Sequence, residues 1–292
     1  MPDILQQNLQ EKAEFPSLFL TWLLFDHEPQ QPSPESIQKV LEATFGKADL
    51  MMPDQTPLTT VSIPSYLAEF QDGSLPVQAL IGSAMPFDPQ SIGTLPRSQF
   101  WNLPNAAALL DSCTHKILLG DMFGSALPYR KRADFLVKLL EAAVELFPDC
   151  KLIHPQSSQG LIDPEEVRAN TIPEGMKFIS YFVNPRFFRI EGGTEMLVDT
   201  LGLYALGLPD VQLHYHTLDP NRLINHMLNI ASYQFEHDCP IQNGETVDGL
   251  DRNGMLHQEI QWRCQYEDSL VQPLRPVLDV EAGEYAAGRR EE

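Results

Sequence analysis

"TTVSIPSYLAEFQDGSLPVQALIGSAMPF", residues 59–87, holds two β-forming runs, 59–70 and 75–87, on either side of the turn "QDGS". Asp-Gly between such runs signals a hairpin, because glycine accepts the positive φ that a tight turn needs. The segments around this hairpin decide the fold class. Upstream, "SLFLTWLLF" (17–25) is a continuous apolar run and reads as a strand buried on both faces. "SPESIQKVLEATFG" (33–46) reads as a helix. Ser33 caps it, Pro34 takes its first position, Ile37, Val40, Leu41 and Thr44 form one face, and Gly46 stops it. Downstream, "LPNAAALLDSC" (103–113) predicts a short helix and "HKILLGDMF" (115–123) another buried strand. The order strand, helix, strand, strand, helix, strand is that of a ferredoxin-like unit.

The second half predicts an echo of the first. "RADFLVKLLEAAVELFPD" (132–149) is the clearest helix: Leu136, Leu139, Leu140, Ala143, Val144 and Phe147 make its apolar stripe, and Pro148 ends it. A strand at 151–155, a loop to about 176 and a long strand at 177–190 interrupted at Pro185 follow. "EMLVDTLGLYALG" (195–207) has Leu197, Leu201, Tyr204 and Leu208 at helical spacing, so it reads as a helix closed by Gly207. "VQLHYHTL" (211–218) is a strand, and 219–238 is a helix capped by Asp219 with Pro220 at its first position. "EIQWRCQYE" (259–267) alternates as a strand, with Ile260, Trp262, Cys264 and Tyr266 on one face. The expectation is an α+β protein of one compact unit, 1–292. It would be built from two ferredoxin-like halves, 15–125 and 130–280, joined near 124–132.

The chain of 292 residues is 43% hydrophobic, enough for a substantial core. Its 24 prolines and 17 glycines suit many short elements rather than a helical bundle. Forty acidic against 20 basic residues give a formal charge of −20, spread along the chain rather than gathered in a tail. No basic stripe is present to hold phosphates, which argues against nucleic acid and against anionic membrane surfaces. A basic protein partner is favoured, since opposite fields speed encounter. The cysteines Cys113, Cys150, Cys239 and Cys264 are scattered, without a C-x-x-C pair, which fits reduced thiols in a cytoplasm. "MPDILQQNLQEKAEFP" has no basic start followed by an apolar run, so no secretory signal is read, and "LFLTWLLF" (18–25) is too short to span a bilayer.

The chemistry-bearing residues are sparse. In "LPDVQLHYHTLDP" (208–220), His214 and His216 lie two apart, and on a strand both could reach one metal ion. The third ligand would come from Asp199, Asp210, Asp219 or His226. Asp210 follows Pro209 in a turn and Asp219 is explained as a helix cap, so a metal-dependent hydrolase is the alternative reading rather than the leading one. Ser83 and Ser125 lack the second glycine of a nucleophile elbow. "EGGTE" (191–195) reads as a turn, His115 and His154 as structural histidines beside apolar strands, and "EHD" (236–238) as a helix end. No catalytic residue and no cofactor is nominated.

Larger stretches carry a resemblance. "MLVDTLGLYALGLPDVQLHYHTLDPNRL" (196–223), followed by "NIASYQFE" (229–236) and "DGL" (248–250), resembles the bacterial domain-of-unknown-function family numbered 4261. "IGSAMPFDP" (81–89), "LPNAAALLDSCTHKILLGD" (103–121) and "VQPLRPVLDV" (271–280) extend the likeness over most of the chain, and 177–280 is its family-like C-terminal region. The His214/His216 doublet is not among the features that carry it. The resemblance implies no reaction. By analogy with toxin-neutralising immunity proteins it implies a cytoplasmic, non-enzymatic binder of a cognate type VI secretion effector. A basic nuclease would suit so acidic a cover.

Overall fold

The computed structural model of the chain describes residues 10–51 and 57–288, so the stretch 1–9 read for a secretory signal lies outside the described residues. The fold is α+β, with two sheets and seven α-helices among the described residues. It divides into two units: 16–182, and 183–292 together with 1–15. The division falls at Phe182/Val183, so the helix and strand that the sequence reading placed at the head of a second half belong to the first unit.

The first unit runs β1 (Leu20–Phe25), α1 (Pro34–Phe45), β2 (Asp49–Met51), β3 (Leu58–Phe70), β4 (Gly73–Gly82), β5 (Met85–Pro86), α2 (Thr94–Arg97), α3 (Ala106–Ser112), β6 (His115–Met122), α4 (Tyr129–Leu146), β7 (Leu152–Pro155), α5 (Pro164–Ala169) and α6 (Glu174–Phe182). The hairpin forms as read, Phe70 pairing with Gly73 across the turn. Ser33 caps α1 by accepting from the Ser36 N–H, with Pro34 beginning the helix and Gly46 ending it at φ 86. Ile37, Leu41 and Phe45 are its buried residues, whereas Val40 and Thr44 are only half-buried.

The sheet order is β2-β3-β4-β6-β1-β7, with β5 also on β6, and every pair is antiparallel. A ferredoxin-like βαββαβ sheet is also antiparallel, but it would set β1 between β4 and β6. Here β6 lies between β4 and β1, which corrects the expectation in strand order. β1 lies between β6 and β7 and is covered on both faces. Its Phe25 meets Phe147 at the end of α4, while Leu24 joins a cluster with Phe87, Phe100, Leu110 and Leu152. α4 buries ten residues, and Phe135 stacks with Phe45 and Tyr66, each at 5.3 Å. Each such side chain contributes about 1.5–3 kcal/mol by leaving water.

Two assignments change in type. Residues 174–182, expected as loop and then strand, form helix α6, with Lys177 bridging Glu174 and Glu141 at 2.5 and 2.6 Å. A short apolar run has no period that separates a buried helix from a strand. The run 195–207, expected as a helix, is strand β9 followed by a 3-10 turn. Its β-branched Val198 and Thr200 and its two strand partners override the helical spacing.

The second unit holds β8 (Asn184–Arg189), β9 (Met196–Leu201), β10 (Asp210–Tyr215), α7 (Pro220–Glu236), β11 (Thr246–Leu250), β12 (Leu256–Asp268) and β13 (Pro276–Glu281). The order β11-β12-β13-β10-β9-β8 contains one parallel pair, β10 with β13, so this unit is not ferredoxin-like either. Pro185, which cannot donate to a ladder, sits on the edge strand β8, where it is tolerated. α7 packs on β8, β9 and β10 through residues such as Leu223, Met227 and Ala231. Residues 11–13 join this unit by main-chain bonds to Leu274.

Candidate functional site

The sheet of the second unit carries a buried ionic network. Arg186 on β8 stands opposite Asp199 on β9 in the strand register, and its Nε and Nη2 donate to the two Asp199 oxygens at 2.9 and 2.6 Å. Arg275 bridges the same carboxylate to Asp210, with Nη2 2.8 Å from Asp199 Oδ2 and Nε 2.9 Å from Asp210 Oδ2. Its remaining donors meet the carbonyls of Thr200, Val271 and Pro273. Asp210 also accepts from the Thr200 hydroxyl and from the N–H groups of Gly202, Leu203 and Tyr204. Burial pushes the Asp210 carboxyl up, and the Arg275 guanidinium and Leu203 N–H pull against that rise. The Asp210 oxygens thus hold the turn after β9, which explains an aspartate straight after Pro209.

The two carboxylates nominated as metal ligands are therefore bound to arginines. The histidines are not brought to them. β10 ends at Tyr215, which is bridged to Ala286, and the backbone turns into the left-handed region only at Thr217 (φ 65), beyond both histidines. His214 is buried and His216 half-buried. His214 Nε2 lies 3.2 Å from Glu195 Oε2 without hydrogen-bonding alignment. Its ring is covered by Gly288, where a Cβ would come within 2.6 Å of Nδ1. The His216 N–H donates to the Tyr285 carbonyl, and its Nδ1 lies 3.3 Å from the Thr217 hydroxyl. Asp219 caps α7 as read, accepting from the Asn221 N–H. His226 packs edge-on against Trp262 at 5.4 Å. Among the described residues no group of three or more His, Cys, Asp or Glu side chains converges as a metal site would require.

Nucleophiles are equally muted. Burial pushes the Cys113 thiol up to about 11 and those of Cys150 and Cys264 up to about 12, which keeps them protonated at neutral pH. His154 is buried against Trp22 and Phe100, and its Nδ1 lies 2.7 Å from the Gly160 carbonyl. Burial holds its pKa down at about 4, so it is neutral. Reading the sequence missed Arg186 and Arg275. The available signal was an arginine set inside apolar runs, "NPRFF" and "PLRPV", because such a side chain needs a buried carboxylate.

The second unit also has an open groove of about 820 Å³ between α7 and β11. Ile230, Ile241 and Val247 line it, with Tyr233, Leu256 and Glu245 exposed along it.

Taken by class, the chain is an α+β protein whose C-terminal sheet is knit by buried arginine–aspartate pairs. Residues 199–281, which hold Asp199, Asp210 and Arg275, match the family described as a domain of unknown function (DUF4261). No curated protein and no solved structure matches the chain. Among the described residues no helix is long and apolar enough to cross a membrane.

Proposed function

We propose that this chain is a non-enzymatic acidic binding protein that neutralises a basic partner: the cognate toxin of a type VI secretion system, of the nuclease class, within the cytoplasm. The observation that carries this reading is the use made of the chemistry-bearing groups in the 199–281 segment. Asp199 and Asp210, the carboxylates best placed to serve a hydrolase, are committed to Arg186 and Arg275 with no solvent exposure. What remains on the surface is acidic, within a formal charge of −20. A nuclease must present a basic face to its phosphate substrate, and an acidic cover competes for that face. Opposite fields steer the encounter, while a desolvated apolar centre holds the complex. The test is co-expression with the product of the adjacent gene, followed by co-purification and a toxicity rescue assay. A stoichiometric complex with rescue is expected. No protein partner, together with turnover in a broad hydrolase screen, would sink the reading.

A further inference from the structure

We propose that the groove between α7 and β11 is the docking site for an extended, cationic segment of the partner protein, which adds to β11 as a further strand. The proposal rests on the protein-binding reading above and names the surface that would perform it.

Three features of the groove converge on such an occupant. The first is the open edge. β11 ends the sheet and pairs only with β12 among the described residues. Around Cys264 the ladder bonds run to Gly244 and Glu245, and Val247 stands opposite Trp262. The alternation of an antiparallel ladder then turns the main-chain groups of Thr246 and Asp248 away from β12, toward the groove. The opposite edge, β8, carries Pro185, one of the devices that blunt an edge. The 246–248 stretch carries neither proline nor lysine, and its ladder is regular until the bulge at Asp248/Gly249. An extended peptide can pair with an edge of this kind.

The second feature is the apolar floor. Ile230, Ile241 and Val247 lie beneath, while Tyr233 at 48% and Leu256 at 60% exposure flank them with large apolar surfaces. A strand laid along β11 points alternate side chains at this floor and at solvent.

The third is the sign of the polar groups. His226 lines the groove at 8% exposure, its Nε2 buried and without a hydrogen-bond partner. Burial pushes the pKa of the ring down, with the Asp248 main chain pulling against that fall, which favours the neutral form. A neutral imidazole keeps one ring nitrogen as an acceptor, and Nε2 is a buried ring nitrogen with no partner. The exposed Glu245 carboxylate adds a second acceptor, and Glu236 and Asp238 stand exposed at the end of α7. Such a lining lacks cationic donors, which a lysine or arginine would supply.

The experiment titrates the full chain, at low salt, with a short peptide of alternating lysine and valine and with its glutamate–valine counterpart, and maps amide exchange. The cationic peptide is expected to bind at least about tenfold tighter and to protect amides within 245–249. Thr246→Pro removes one edge donor at a position where an edge strand tolerates proline, and is expected to weaken binding about tenfold. Should that variant fold poorly, Tyr233→Ser, on an exposed side chain, is expected to weaken binding with the melting temperature kept. Equal binding of both peptides, protection elsewhere, or full affinity in folded variants overturns the proposal. A partner complex that Thr246→Pro leaves intact removes the groove but spares the binding reading. Peptide addition at β11 without any partner complex spares the groove and removes that reading.

Discussion

Asp199→Asn is the most searching perturbation of the C-terminal unit. The change keeps the side-chain volume and removes one charge. Asp199 accepts three charge-assisted bonds, at 2.9 and 2.6 Å from Arg186 and 2.8 Å from Arg275, and none of the three side chains is more than 1% exposed. A hydrogen bond to a charged group contributes about 1.5–3 kcal/mol net in general. In a fully buried ion pair the cost of taking both charges from water offsets most of the attraction, so the intact pair contributes little compared with an apolar pair of the same shape. Breaking it is different. Arg186 keeps the Gln272 carbonyl but loses its counter-charge, and an unbalanced buried guanidinium costs about 3–5 kcal/mol. Arg186→Met in the same chain removes the stranded charge, and the double variant should recover at least about 2 kcal/mol of the loss. Urea unfolding followed through Trp262, the only tryptophan within 183–292, reads this unit once Trp22 and Trp101 are replaced by phenylalanine. A single-variant loss below about 1 kcal/mol, or strictly additive losses in the double variant, would refute the argument.

Three further outcomes follow from other parts of the molecule. His154 has a folded pKa of about 4 against an ordinary value of 6.5, so the folded state favours the neutral ring. Its contribution is complete above pH 6.5 and is lost as the pH falls toward 4, a drop of about 3 kcal/mol across that window. Urea midpoints at pH 7 and pH 4.5 measure it, and His154→Gln should flatten that part of the profile. Gly124→Ala puts a Cβ 1.8 Å from Asp121 Oδ2, displacing the carboxylate that accepts from Arg132 and the Phe19 N–H. A loss of about 3 kcal/mol or more in thermal unfolding is expected, because one partner of a buried pair is moved. A chelator should leave the melting temperature unchanged, and a fall that is absent in the His214→Ala plus His216→Ala variant would return the doublet to a metal role.

Much of the first unit was legible because its signals are local. The cap and stop of α1, the Asp-Gly turn and the stripe of α4 each act within a few residues. The pairing order was not legible, since nothing in a strand's own residues says whether β6 or β4 will lie beside β1. The failures at α6 and β9 share another cause. "KFISYF" is too short for its period to decide its type, and "MLVDTL" has helical spacing that two neighbouring strands override. The candidate site divides in the same way. Asp219 was legible as a cap because a cap is local. The Arg186–Asp199–Arg275–Asp210 network was not, since its members lie up to 89 residues apart (275 − 186 = 89).

The measurement that bears most directly on the binding reading is the affinity of the purified chain for the adjacent gene's product at low and high salt, with association and dissociation rates resolved. A tight complex is expected whose association slows markedly as salt rises while dissociation changes far less, because a field of −20 acts on the encounter and a desolvated centre on the bound state. No complex at either salt concentration, accompanied by metal-dependent turnover that His214→Ala plus His216→Ala abolishes, would contradict the account.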